Sequence, residues 1–219
     1  MVDSNRRRAR YRDVVAAPKW FVAEIIAGEL YLSPRPALPH GVGITSLAGQ
    51  LHSRFGLGRS PGGWCFLIEV EIHLGRDVVV PDISAWRRDR MPDLTAKFAT
   101  LPPAWLCEGL SPSTTKHDRT RKLPLYAKAG VEFVWLFSAT ELTLEVYGLV
   151  GGTYELVQFF GERDVIRAQP FESIELSFDE VASLPVRASE RILGYGDRPI
   201  RHGARAFEIV DQHHANPAR

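Results

Sequence analysis

A chain of 219 residues, 45% hydrophobic and 24% charged, has the balance of an ordinary globular protein and enough apolar material for one sizeable core. Only Cys65 and Cys107 are present, which argues against a disulfide framework or a structural zinc cluster, and no apolar run is long enough for a bilayer span or a signal peptide. A cytoplasmic protein without a membrane partner is therefore expected.

The net charge of +1 hides an uneven spread. Residues 1–12 hold five arginines against one aspartate, residues 185–219 hold six against four acids, and the interval between keeps 16 Lys and Arg against 21 Asp and Glu. Uniform phosphate affinity would give that interval the opposite sign, so any nucleic-acid surface must be local. The expected organisation is a basic N-terminal arm over 1–12, one domain over 13–184 and a basic tail over 185–219. Solvated termini explain the two flanks as well as phosphate binding does.

Along the chain, Glu24 to Leu32 reads as a short hairpin turning at Ala27-Gly28. Ser33-Pro-Arg-Pro-Ala-Leu-Pro breaks the pattern. Ile44, Leu47, Leu51 and Phe55 then recur at spacings of three and four, one face of a helix from about His40. From Trp64 to Leu74, apolar and other residues alternate with period two, which predicts one strand with a buried face. Gly75-Arg76-Asp77 leads to a second strand, Val78 to Trp86. A proline-bearing connection precedes the strand Ala104 to Leu110, and after Ser111-Pro112-Ser113 a helical segment runs to about Ala129, closed by Gly130. Strands follow near Phe133–Phe137, Leu142–Tyr147 and Tyr154–Phe160. The class is α/β, with no internal repeat and no phosphate-cradling glycine motif.

Two acids stand out by context. Asp82 lies in Val78-Val-Val-Pro-Asp-Ile-Ser and Glu108 in Trp105-Leu-Cys-Glu-Gly-Leu, apolar surroundings where a carboxylate needs a partner, water or a metal. Two carboxylates on neighbouring strands suit a hard divalent cation, because magnesium prefers oxygen ligands and often uses only one or two protein carboxylates. Lys122 is the candidate for a cation acting on phosphate or on the attacking water. Each residue also has an ordinary explanation: a strand end for Asp82, a buried ion pair for Glu108, an i,i+4 pair with Asp118 for Lys122.

Taken together, Val80-Pro-Asp-Ile-Ser, Leu106-Cys-Glu-Gly-Leu-Ser-Pro-Ser-Thr, Asp118 with Lys122 and Tyr126, and Ala129-Gly-Val-Glu-Phe-Val-Trp-Leu resemble the ordered landmarks of the Uma2 family of restriction-endonuclease-like proteins, in the PD-(D/E)xK superfamily. The resemblance runs from about Tyr11 to Leu184. It implies a mixed central sheet flanked by helices, with additional antiparallel hairpins. It also implies Asp82 and Glu108 as ligands of Mg (or Mn), and an endonuclease acting on DNA phosphodiesters. The alternative is a catalytically weak or inactive nuclease-fold module that binds nucleic acid or a protein partner. A homodimer is left open.

This chain departs from the superfamily pattern at Leu110, where a lysine two residues after the acid is usual, so Lys122 from the following helix has to supply the charge. Pro124 lies close behind it and complicates that helix. Gly109 stands where an aliphatic residue is usual and is expected to loosen the strand. Supporting candidates are Glu24, His40, Glu71, Ser84, Ser111, Asp118 and Tyr126. Arg87 and Arg88 after the Asp82 strand, with Lys116, Arg119 and Arg121 after the Glu108 strand, are the candidate phosphate contacts.

Overall fold

Two runs that read as single strands each divide between two sheets. The computed structural model describes residues 7–59, 61–111 and 114–181. Its elements in chain order begin with helix α1 (Tyr11–Val15), strands β1 (Phe21–Ile26) and β2 (Glu29–Pro34), and helix α2 (Leu38–Phe55). Strands β3 (Trp64–Ile68), β4 (Ile72–Leu74), β5 (Asp77–Val79), β6 (Ile83–Arg87) and β7 (Trp105–Gly109) follow. Helix α3 (Thr115–His117), a π turn (Asp118–Lys122) and helix α4 (Leu123–Ala129) form one helical segment. The rest is β8 (Phe133–Ser138), β9 (Thr143–Val150), β10 (Thr153–Phe160) and helix α5 (Phe178–Val181).

The expected strand Trp64–Leu74 breaks at Glu69, whose φ of 48° is left-handed. The expected strand Val78–Trp86 breaks at Val80-Pro81-Asp82, and proline can give no ladder hydrogen bond there. The two breaks lie side by side, tied by Glu69 N–H to the Asp82 carbonyl at 3.1 Å. On one side of them β4 and β5 pair within a four-stranded antiparallel sheet of order β2-β1-β5-β4. On the other side β3 and β6 pair at the edge of a six-stranded sheet of order β10-β9-β8-β7-β6-β3, in which only β7 and β8 run parallel.

Alternation along β6, β7 and β8 sorts the core into two layers. Ile83, Ala85, Trp105, Cys107, Trp135 and Phe137 pack beneath Ile44, Leu47, Leu51 and Phe55 of α2. Trp86, Leu106, Val134 and Leu136 pack on the other face with Leu125 and Tyr126 of α4 and with Ile72 and Val79. Glu108 shares the parity of Leu106, so its carboxylate emerges on the α4 face. The β1–β2 turn carries Ala27 and Gly28 at φ 53° and 83°, the doubly positive pattern of a tight hairpin, and Asp77 Oδ1 accepts the Ala27 N–H at 2.7 Å.

Part of the expected arm belongs to this framework: Ala9 N–H bonds the Gly28 carbonyl at 2.8 Å and Arg7 pairs with Asp13 at 2.7 Å. Residues 1–6 and the whole of the tail expected over 185–219 lie outside the described residues. Among the described residues no helix is long and apolar enough to cross a membrane.

Candidate active site

The crossing between the two sheets sets the site. Because Asp82 sits just before β6, in the irregular step itself, its carboxylate leaves the strand and turns toward the end of β7. Gly109 N–H donates to Oδ2 at 2.7 Å, and His40 Nε2 lies 2.9 Å from Oδ1. His40 comes from the first turns of α2, where Pro39 helps to start the helix. Its position explains Gly109: a Cβ added there would lie 2.4 Å from His40 Cε1. The glycine expected to loosen the strand makes room for an imidazole ring. Burial acts to lower the His40 pKa, but the hydrogen bond and charge of Asp82 outweigh it and the net direction is upward.

Glu108 accepts from Tyr126 Oη at 2.5 Å and from Lys122 Nζ at 3.2 and 3.3 Å. Lys122 also lies 3.0 Å from Glu24 Oε1 and 3.7 Å from Asp118 Oδ1. The backbone makes this convergence possible. Pro124 has no N–H and its ring crowds the preceding turn, and the helical segment widens into the π turn Asp118–Lys122 immediately before it. Asp118 and Lys122 are both buried, so the turn directs them inward together. Lys122 thus reaches Glu108 from the helix although Leu110 occupies the strand position two residues on.

The charges do not balance. Glu24, Glu108 and Asp118 surround one ammonium, with Asp82 nearby in the same cavity. Burial pushes the Lys122 pKa down, but the three carboxylates outweigh it and hold the lysine protonated. Burial pushes Glu108 well above the usual carboxylate range, and Asp118, Asp82 and Glu24 add to the rise against the opposing pull of Lys122. Asp118 is raised too, first by burial. One ammonium faces Glu24, Glu108 and Asp118, and the upward shifts of Glu108 and Asp118 show proton uptake relieving the excess of negative charge, a relief that a divalent cation would also supply.

Among the described residues no three His, Cys, Asp or Glu side chains converge tightly enough to chelate an ion alone. Two carboxylates, Asp82 and Glu108, would leave most of a cation's shell to water and substrate oxygens, a coordination that magnesium tolerates. A cavity of about 310 Å³ opens onto these groups, bounded also by Ser33, Arg35, Ser111, Thr114 and His117.

Not all the sequence candidates meet here. Glu24, His40, Ser111 and Asp118 line the cavity and Tyr126 holds Glu108 from behind. Glu71 is elsewhere, bonded to His73 at 2.6 Å, and Ser84 is fully buried between Leu67 and Leu106. Arg87 ends β6 and Arg88 follows it, at the strand end away from Asp82, with Arg87 roughly 16 Å from Asp82 by strand rise. Arg87 instead pairs with Glu132 at 2.8 Å and covers the Trp64 ring at 4.6 Å. Arg119 is clamped by Glu145 at 2.5 and 2.6 Å. Lys116 and Arg121 remain exposed on the helical segment beside the cavity.

Among the cavity residues that sequence did not single out, two carry titratable or cationic side chains. Arg35 stands between Pro34 and Pro36 at the wall and reaches Glu69 at 3.1 Å. His117 packs against Tyr31 with ring centroids 4.2 Å apart, and its Nε2 is buried without a partner. The only sequence signal for either was position: an arginine isolated by prolines, and a histidine directly before Asp118.

The family model described as "Putative restriction endonuclease", Uma2, matches residues 11–182. The chain belongs to the Uma2 family. No curated protein matches. A solved structure from Anabaena variabilis ATCC 29413, described as a putative nuclease belonging to DUF820, superposes with a TM-score of 0.65 at 21% identity, covering 80% of this chain and 98% of that one. At that identity the likeness speaks to the fold, and it gives this Uma2 protein a nuclease-like arrangement of its mixed sheet and helices. The Uma2 match starts at Tyr11, at the head of α1, so the arginines before it lie outside the family's span.

Proposed function

We propose that this protein is a divalent-metal-dependent nuclease of the PD-(D/E)xK type that hydrolyses DNA phosphodiester bonds. Membership of a restriction-endonuclease family supports the nuclease kind and a nucleic-acid substrate. The observation that carries the finer reading is the approach of Lys122 Nζ to Glu108 from the helix side, 3.2 Å from Oε1, restoring an acid–lysine pair that the sequence of β7 lacks.

Asp82 and Glu108 would hold the metal, whose part is to lower the pKa of bound water and to offset charge on the phosphate. His40 and the Gly109 N–H fix both oxygens of Asp82, so that carboxylate meets the cation in one orientation. Tyr126 does the same for Glu108. Lys122 is held protonated by three acids, which makes it a fixed positive charge for the phosphorane-like transition state and excludes it as the base. Lys116 and Arg121, exposed on the helical segment, are the cations left to meet neighbouring phosphates, and Arg35 at the wall would have to exchange Glu69 for one.

Calorimetric titration with magnesium or manganese, paired with cleavage of plasmid and oligonucleotide DNA, tests this. Wild type should bind the ion and cut, whereas Asp82→Ala and Glu108→Ala should lose both. Equal cutting by wild type and variants removes these residues from catalysis. Absence of both ion binding and cutting would favour a nuclease-fold binding module.

A further inference from the structure

Strand β2 joins two depressions in the surface. Ser33 lines the acidic cavity, while Tyr31 lines an open groove of about 630 Å³ at the β1–β2 turn, together with Arg7, Arg8, Gly28 and Glu29. Tyr31 packs on the ring of His117, which lines the acidic cavity, so the two depressions meet across these rings. Arg121 is exposed beside this junction, and its charge acts on both rings.

The groove's own cations come from the arm. The bond from Ala9 N–H to the Gly28 carbonyl fixes the backbone next to Arg8, and the Arg8 stem packs over the turn, its Cγ and Cδ 3.4 Å from where a Cβ on Gly28 would lie. Residues that read equally well as a solvated terminus are thus held at one place on the surface. Arg7 is committed to Asp13, but Arg8 and Arg121 are exposed and form no salt bridge among the described residues. With Asp13 paired, the opposing charge in the groove is Glu29, whose carboxylate accepts from Tyr31 Oη at 2.5 Å, a neutral donor that leaves the charge in place.

From Ser33 to Gly28 the chain covers roughly 16 Å by strand rise, the rise of about five nucleotides in one strand of B-DNA. We propose that Arg121 and Arg8 form a phosphate track along β2, by which a DNA strand leaving the acidic cavity is gripped by the N-terminal arm at the β1–β2 turn. The inference rests on the nuclease reading for its substrate, but the two fail separately. Such a track meets backbone oxygens, so it adds affinity and fixes the direction of the duplex without a sequence preference. The Uma2 match begins at Tyr11, so Arg8 lies outside what the family model describes.

The test is fluorescence anisotropy of a labelled duplex of about 20 base pairs with the full-length protein in calcium buffer, at sodium chloride from about 50 to about 200 mM. Each phosphate contact adds about 0.9 to the slope of log affinity against log salt, so wild type should lose roughly three- to fourfold more affinity than Arg8→Ala over that range. Arg8→Lys should restore most of the slope. Arg163→Ala, which removes the same net charge from an exposed position after β10, should keep the wild-type slope. Glu29→Gln, which takes the opposing charge out of the groove, should bind the duplex more tightly than wild type.

An Arg8→Ala slope equal to that of wild type, or Glu29→Gln binding no tighter than wild type, overturns the track even if the protein cuts DNA. The expected slopes, in a protein that cuts nothing with magnesium or manganese, keep the track and overturn the nuclease reading.

Discussion

Arg119 and Lys122 leave the same π turn three residues apart and meet opposite electrostatic fates. Arg119 finds one carboxylate of matching shape: two guanidinium nitrogens meet the two oxygens of Glu145, and Tyr147 Oη accepts at 3.2 Å while donating to Glu145 at 2.7 Å. That cluster is internally satisfied, and Glu145 is held below the usual carboxylate range, chiefly by Arg119. Lys122 meets three carboxylates and neutralises one charge's worth of them, while Glu108 is driven upward. A closed pair serves the fold. The Lys122 cluster keeps an excess of acids whose charge must be relieved by protons or by a further cation, at some cost to stability.

The largest way to break this contrast is Lys122→Met. It leaves Glu24, Glu108 and Asp118 buried without their only shared cation, and loss of one partner from such a buried cluster costs about 3–5 kcal/mol. Urea denaturation should show that loss at neutral pH, with partial recovery at acid pH as the carboxylates take up protons. A Lys122→Met protein as stable as wild type at pH 7 would mean that the acids are already protonated and the charge imbalance is not real.

Next in size is the fit between Gly109 and His40. Gly109→Val forces the imidazole away from Asp82, and overpacking of this kind costs about 1–3 kcal/mol. In the double variant Gly109→Val/His40→Ala the valine has room, so its stability should exceed that of Gly109→Val alone, while divalent-ion binding stays weakened in every variant lacking His40. Additive losses in the cycle would show that the two residues do not interact.

Much of this was visible in the chain. Asp82 and Glu108 betrayed themselves as acids in apolar runs, and the helix and hairpin periodicities placed α2, β1 and β2 within a few residues. The division of the strands was hidden because period-two alternation runs on through Glu69 and says nothing about which sheet a residue joins. Arg87 was misjudged for a related reason: five residues is near in sequence, yet an extended strand carries them to the other end of the sheet. The need for Gly109 was invisible because its cause, the His40 ring, arrives from a helix 69 positions earlier. Leu110 and Lys122 show the reverse case, where the resemblance marked a displaced lysine and the π turn supplies the path by which it reaches Glu108.

The smallest effect expected distinguishes the two cations by pH. Glu145 has a folded pKa lowered by Arg119, so the stability it contributes is complete above the unfolded carboxylate value, about 4.3, and fades as pH falls through the lower folded value. Glu108 has the opposite sign. Its folded pKa is raised by burial and neighbouring acids, so its contribution is present below the unfolded value and is lost as pH rises through the raised folded one. Arg119→Ala should therefore lower the thermal midpoint at pH 7 by an amount equivalent to about 1–2 kcal/mol and by progressively less below pH 4, flattening the acid limb. Glu108→Gln should instead raise the midpoint at pH 7 relative to wild type and converge on it in acid, while losing divalent-ion binding. Calorimetric scans of both variants from pH 3 to 8 read the two slopes directly. If both slopes have the same sign, the cluster around Lys122 is an ordinary structural ion pair, and the case for a cation there weakens with it.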